Sequence, residues 1–255
     1  MQKQQASDSA FTLMFRNEEY VVQLYQLLTG KKLDPAKIKS VNLRDSLIKP
    51  KRYNDVSFLT ENNQLLVLIE AQKTPSRNMA FRLLEYYVSL AGRFIKKHNQ
   101  NRFGTKEVEI PKAQFLVVYN GKGKMRELST LDLGDVQVKA TVHNIHFDTL
   151  GHHDGDNVVA AYSRLVKLVE DRGLFINDAL DQLLEEGYLP EFFGREEVRD
   201  MFAEVFSYDQ ELIDFGIEQG IEQTAKKLLT KGMTIKEVLE ITELPLDVVQ
   251  GLVVG

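Results

Sequence analysis

Asp55, Glu70 and Gln72 are polar side chains set in apolar surroundings. Asp55 falls in Tyr53-Asn54-Asp55-Val56-Ser57-Phe58-Leu59, a stretch of strand composition in which a charge is out of place. Glu70 and Gln72 close the apolar run 64–72. Side chains alternate along a strand, so Glu70 and Gln72 share one face and Ala71 points away. The polar residues 60–63 between the two stretches suit a hairpin turn, which brings Asp55 towards that face. Two carboxylates converging at a strand end supply the oxygen ligands that magnesium takes. Such an ion acidifies a bound water and neutralises charge that grows on a phosphate. The expectation is that Asp55 and Glu70 ligate Mg2+, or Mn2+ in its place. Gln72 then orients the attacking water or contacts the phosphate. The same spacing also fits a solvated strand end carrying paired surface charges.

The elements that must hold these residues are legible around them. Asn17 reads as a helix N-cap, with Glu18 and Glu19 in the first turn. Val21, Leu24, Tyr25 and Leu28 make an apolar stripe, and Gly30 ends the helix. Glu18 or Glu19 is a candidate extra acid; the competing reading is stabilisation of the helix dipole. Residues 38–43 alternate as a strand would, and run 64–72 is apolar on both faces, which places it centrally in a sheet. Pro75 suits a helix start, and 76–98 is helical in pattern. Arg77 and Arg82 on that helix are candidate contacts for a DNA phosphate, as is Lys73, although a regular strand turns Lys73 to the face opposite Glu70. Residues 100–112 read as a loop, 114–119 as a strand stopped by Asn120-Gly121, and 136–147 as a further strand. Helix, three strands, helix, strand and strand make an α/β core with a mixed sheet flanked by helices.

From Val158 onward the pattern is helical and acidic, with a boundary in the Gly-His-His-Asp-Gly-Asp-Asn stretch. The expected division is a core over 1–156 and an α-helical C-terminal region over 157–255. Thr234-Ile235-Lys236-Glu237 is a capping box, and Pro245 opens a last short helix without Lys or Arg, a poor reader of DNA bases. That pair of helices reads as a small packing or dimerisation unit, one through which a homo-oligomer could form. His143, His146, His152 and His153, with Asp154 and Asp156, lack the spacing of a zinc site.

Charge is unevenly spread. Residues 1–126 hold 22 Lys and Arg against 11 Asp and Glu, whereas 127–255 hold 10 against 26. A basic first half suits a polyanion, and it suits equally an attraction between the two halves. With no cysteine there is neither a disulfide nor a thiolate metal site. No apolar run is long enough to cross a bilayer, and no secretory signal is evident, so the expectation is a cytoplasmic protein with no membrane partner.

Asp55 followed by Glu70-Ala71-Gln72 resembles the active-site motif of the PD-(D/E)XK, or restriction-endonuclease-like, superfamily. More narrowly, the chain is similar to the bacterial recombination-promoting nuclease and putative transposase family. The likeness runs through Tyr53-Asn54-Asp55-Val56, Leu68-Ile69-Glu70-Ala71-Gln72-Lys73, Met79-Ala80-Phe81-Arg82-Leu83-Leu84-Glu85-Tyr86, the stretch 110–121 and Leu183-Leu184-Glu185-Glu186-Gly187-Tyr188-Leu189, and it keeps their order. The resemblance implies a magnesium-dependent endonuclease that hydrolyses DNA in recombination or mobile-element biology. One departure bears on chemistry: Gln72 stands where the superfamily usually has lysine. Glutamine brings no cation and is no general base. A positive charge from Arg82 or Arg77 would replace it. The alternative is a weak or inactive nuclease fold that binds DNA or regulates.

Overall fold

The computed structural model describes residues 5–41, 56–60, 64–150 and 155–254. Two helices open the chain, α1 (Gln5–Met14) and α2 (Glu18–Thr29). The second forms where Asn17, Glu18 and Gly30 place it: the Asn17 side chain accepts from the Glu19 N–H at 2.9 Å, and Gly30 takes the left-handed conformation. The first was not expected from the sequence. It forms because Ala10, Phe11 and Met14 recur at helical spacing and bury completely.

Strands β1 (Lys39–Ser40), β2 (Val56–Leu59) and β3 (Leu65–Gln72) follow, then helix α3 (Met79–Lys97), strand β4 (Lys112–Tyr119), strand β5 (Leu128–Asp132) and strand β6 (Gln137–Asn144). The strands form one mixed sheet in the order β1-β2-β3-β4-β6-β5. The β3·β4 and β4·β6 pairs are parallel and the others antiparallel. The expected α/β class with a mixed sheet is therefore present. β5 was not expected; its short, polar alternation at the sheet edge gives little signal. β3 is central, and its residues from Leu66 to Ala71 are buried, as its two-sided apolar run requires.

Alternation sorts the sheet into two faces. Leu66, Leu68, Phe115, Val117, Tyr119, Ala140 and Val142 pack against Met79, Leu83, Tyr86 and Leu90 of α3. On the opposite face Tyr25 of α2 meets Phe58 edge-to-face, and its hydroxyl donates to Gln114 at 2.9 Å. Helix α4 (Phe147–Leu150) leads to α5 (Val158–Val166), which packs with α1 and α2 and ends in a π-helical turn, Lys167–Asp171. Helices α6 (Ile176–Glu185) and α7 (Pro190–Phe193) complete this layer.

Helix α8 (Glu196–Thr230) is followed by α9 (Ile235–Thr242) and α10 (Leu246–Val254). The chain divides into two compact units after Ala203. The second has its own small core of Ala225, Val238 and Val249. The Thr234–Glu237 capping box is formed at the start of α9, and Gly232 breaks the helix before it. Among the described residues, no helix is long and apolar enough to cross a membrane.

Candidate active site

The C-terminal end of β3 carries Glu70 and Gln72 on the face covered by α3, as their two-residue spacing predicts. The register fixes their neighbours: Val56 pairs with Ile69 across the antiparallel edge, and Glu70 and Gln72 pair with Val117 and Tyr119 across the parallel one. Asp55, the other expected metal ligand, lies outside the described residues. So do His152, His153 and Asp154.

Glu70 is 2% exposed. A carboxylate taken so far out of water requires a positive partner. Arg82 supplies it from the first turn of α3: one guanidinium nitrogen ion-pairs with Glu70 Oε1. Another donates to Gln72 Oε1 at 3.0 Å. Gln72 in turn donates through Nε2 to the Thr74 carbonyl at 2.7 Å. Its amide therefore has a fixed orientation, donor towards the loop and acceptor towards the arginine. This is a task lysine cannot perform, because an ammonium group has no acceptor. Glutamine at this position aims a cation that stands on the neighbouring helix.

The strand end is braced from behind. The Asn120 N–H donates to the Gln72 carbonyl at 3.0 Å. Gly121 lies so close to the Lys73 carbonyl and the Tyr119 ring that a Cβ there would collide with both. The Asn-Gly stop read from the sequence thus does more than end β4; it lets the β4 exit pass against the site. Lys73, an expected phosphate contact, turns away from Glu70 and ion-pairs with Glu170 of the π-helical turn. Glu170 is 1% exposed, so this pair fastens the loop after β3 to the helical layer. Nothing in the sequence marks Glu170 as that partner, since the two lie far apart along the chain.

Arg77 is exposed ahead of α3, and its carbonyl accepts from the Ser129 hydroxyl at 3.3 Å. Glu18 faces β1, with Ser40 Oγ 3.5 Å from its carboxylate, and Glu19 remains in the first turn of α2. Tyr86 is buried in the core under α3, and the Tyr87 hydroxyl donates to the Pro111 carbonyl at 2.6 Å. Burial holds the His143 imidazole below its ordinary pKa. His146 lies 3.7 Å from carboxylate oxygens of both Asp148 and Asp171. Among the described residues, no three His, Cys, Asp or Glu side chains gather into a metal-binding group. The donors of the β3 end are carboxylate and amide oxygens, the hard ligands that suit magnesium. Arg82 sets a cation directly beside them.

A family model described as a putative transposase, YhgA-like, matches residues 7–148. That is more than half of the chain, and it spans α1 to the start of α4, including Glu70, Gln72 and Arg82. No curated protein and no solved structure matches the chain.

Proposed function

The chain belongs to the YhgA-like putative transposase family, and from that membership we propose that it is a metal-dependent DNA endonuclease acting in recombination or mobile-element biology. In this reading its α/β core is a PD-(D/E)XK fold, with β3 carrying Glu70-Ala71-Gln72 and α3 following it. The observation that supports the reading best is the guanidinium of Arg82, held between Glu70 and Gln72. It provides the cation that the superfamily motif has on its own strand and that Gln72 lacks.

Glu70 and Asp55 hold the metal in this proposal, with Mg2+ as the ion and Mn2+ as its substitute. Asp55 is proposed on the sequence motif, and it immediately precedes Val56, whose strand partner is Ile69. When bound, magnesium acidifies a water and offsets charge on the phosphate. Gln72 is a positioning residue: its Oε1 aims the Arg82 guanidinium, which stabilises negative charge on the phosphate in the transition state. Arg77 contacts a neighbouring phosphate. Lys73 is assigned to anchoring the loop, because Glu170 holds it.

A plasmid-nicking assay tests this. Supercoiled DNA with Mg2+ or Mn2+ is converted to open circle by the full chain, and Asp55→Ala and Glu70→Gln each abolish the conversion. Undiminished nicking by either variant refutes the assigned site. One observation favours a second reading, a nuclease fold that binds DNA without cutting it: Arg82 already occupies the Glu70 carboxylate that a metal needs. That reading predicts salt-sensitive DNA binding with no nicking under any divalent ion.

A further inference from the structure

A cleft of about 450 Å³ opens beside the first turn of α3. One wall is Pro75, Ser76 and Arg77, on the loop that leads from Gln72 to α3. The facing wall is Lys124, Met125 and Arg126, and the floor is the start of β5 at Ser129. Three cationic side chains thus border one opening, and Arg77, Lys124 and Arg126 are all exposed.

Both walls are fixed in place. Met125 is 7% exposed and packs in the core under α3. The Asn144 amide grips it at two points: its Oδ1 accepts from the Met125 N–H at 2.7 Å, and its Nδ2 donates to the Met125 carbonyl at 3.0 Å. With Met125 anchored inward, its two neighbours project outward on a rigid loop. The opposite wall is pinned by the buried Ser129 hydroxyl, which donates to the Arg77 carbonyl at 3.3 Å and accepts from the Ala80 N–H at 3.2 Å. Lys124 lies 3.3 Å from the carboxylate of Glu127; both are about three-quarters exposed, so solvent screens the pair and Lys124 can exchange partners. The backbone that presents these cations is thus ordered before a polyanion arrives, and only the side chains remain to be ordered on binding.

We propose that this cleft is a second DNA-phosphate subsite, in which Lys124 and Arg126 with Arg77 grip the duplex backbone to one side of the scissile phosphate. It rests on the endonuclease reading for the location of the scissile bond, but not for the binding itself. The contact is to phosphate and carries no base specificity.

Binding is measured without cleavage, by titrating a fluorescent DNA duplex with the full chain in EDTA at several salt concentrations. Each phosphate contact contributes about 0.9 to the slope of log affinity against log salt. Lys124→Ala/Arg126→Ala lowers the slope by about 1.8 and weakens binding roughly 30-fold at 0.15 M salt. Arg77→Ala lowers the slope by about 0.9. A control pair in the second compact unit, Lys226→Ala/Lys227→Ala, leaves it unchanged. An unchanged slope in the cleft variants, or an equal fall in the control, overturns the subsite. If plasmid nicking fails while the cleft variants behave as stated, the nuclease reading falls and the subsite stands. If nicking depends on Glu70 while the slopes do not move, the subsite alone falls.

Discussion

Arg82 is the residue on which the chemistry of the site turns. It contacts both Glu70 and Gln72, and in the proposed nuclease it supplies the cation that glutamine lacks. Replacing Arg82 with alanine removes the site cation and leaves a buried carboxylate without its guanidinium. The expected loss is about 10²- to 10³-fold in nicking rate, as for removal of a transition-state donor. It comes with a loss of roughly 1–3 kcal/mol in urea unfolding. Arg82→Lys keeps the charge but not the two-pronged geometry, so it recovers stability better than rate. Equal nicking rates in wild type and Arg82→Ala would show that the cation is not used. The shared face of Glu70 and Gln72, and the turning away of Lys73, were legible because a strand has a strict period of two. The Arg82 contacts were legible only as a possibility of reach, since sequence spacing does not fix how a helix packs on a sheet.

At the scale of elements, the β3–α3 connection is held between two supports, Gly121 on the β4 exit and Glu170 on the π-helical turn. π-helical turns are rare and recur at functional sites. Here the turn delivers a fully buried carboxylate to Lys73. Breaking such a pair from one side costs about 3–5 kcal/mol, whereas replacing both partners with apolar groups costs little. Urea unfolding of Lys73→Met, which leaves the buried Glu170 carboxylate unpaired, should show that loss, and Lys73→Met/Glu170→Leu should recover most of it. A single-variant change below about 0.5 kcal/mol would mean that the pair does not brace the loop. Elements with local signals were readable: α2 from its Asn17 cap and Gly30 stop, α9 from its capping box, β3 from its apolar run. α1, β5 and the π-helical turn carry no comparable local mark, and long-range packing decides them.

At the scale of the molecule, the basic first half of the sequence contains strands β1 to β4, α3 and the described part of the candidate site, β5 and β6 follow just beyond it, and the family match covers residues 7–148. The C-terminal unit has a small helical core of its own, and we propose that two copies of the chain pair through these helices. Light scattering should then give a mass of twice 29.2 kDa for the full chain, and a monomer at micromolar concentration would refute it. In the proposed nuclease the β3 end holds a divalent cation next to Arg82. Anomalous scattering from crystals of the full chain grown with Mn2+ tests it most directly. A manganese peak is expected about 2.1 Å from a Glu70 carboxylate oxygen, with Asp55 as the second carboxylate and Arg82 withdrawn towards Gln72. Arg82 still ion-paired to Glu70, with no manganese peak at that carboxylate, would contradict it.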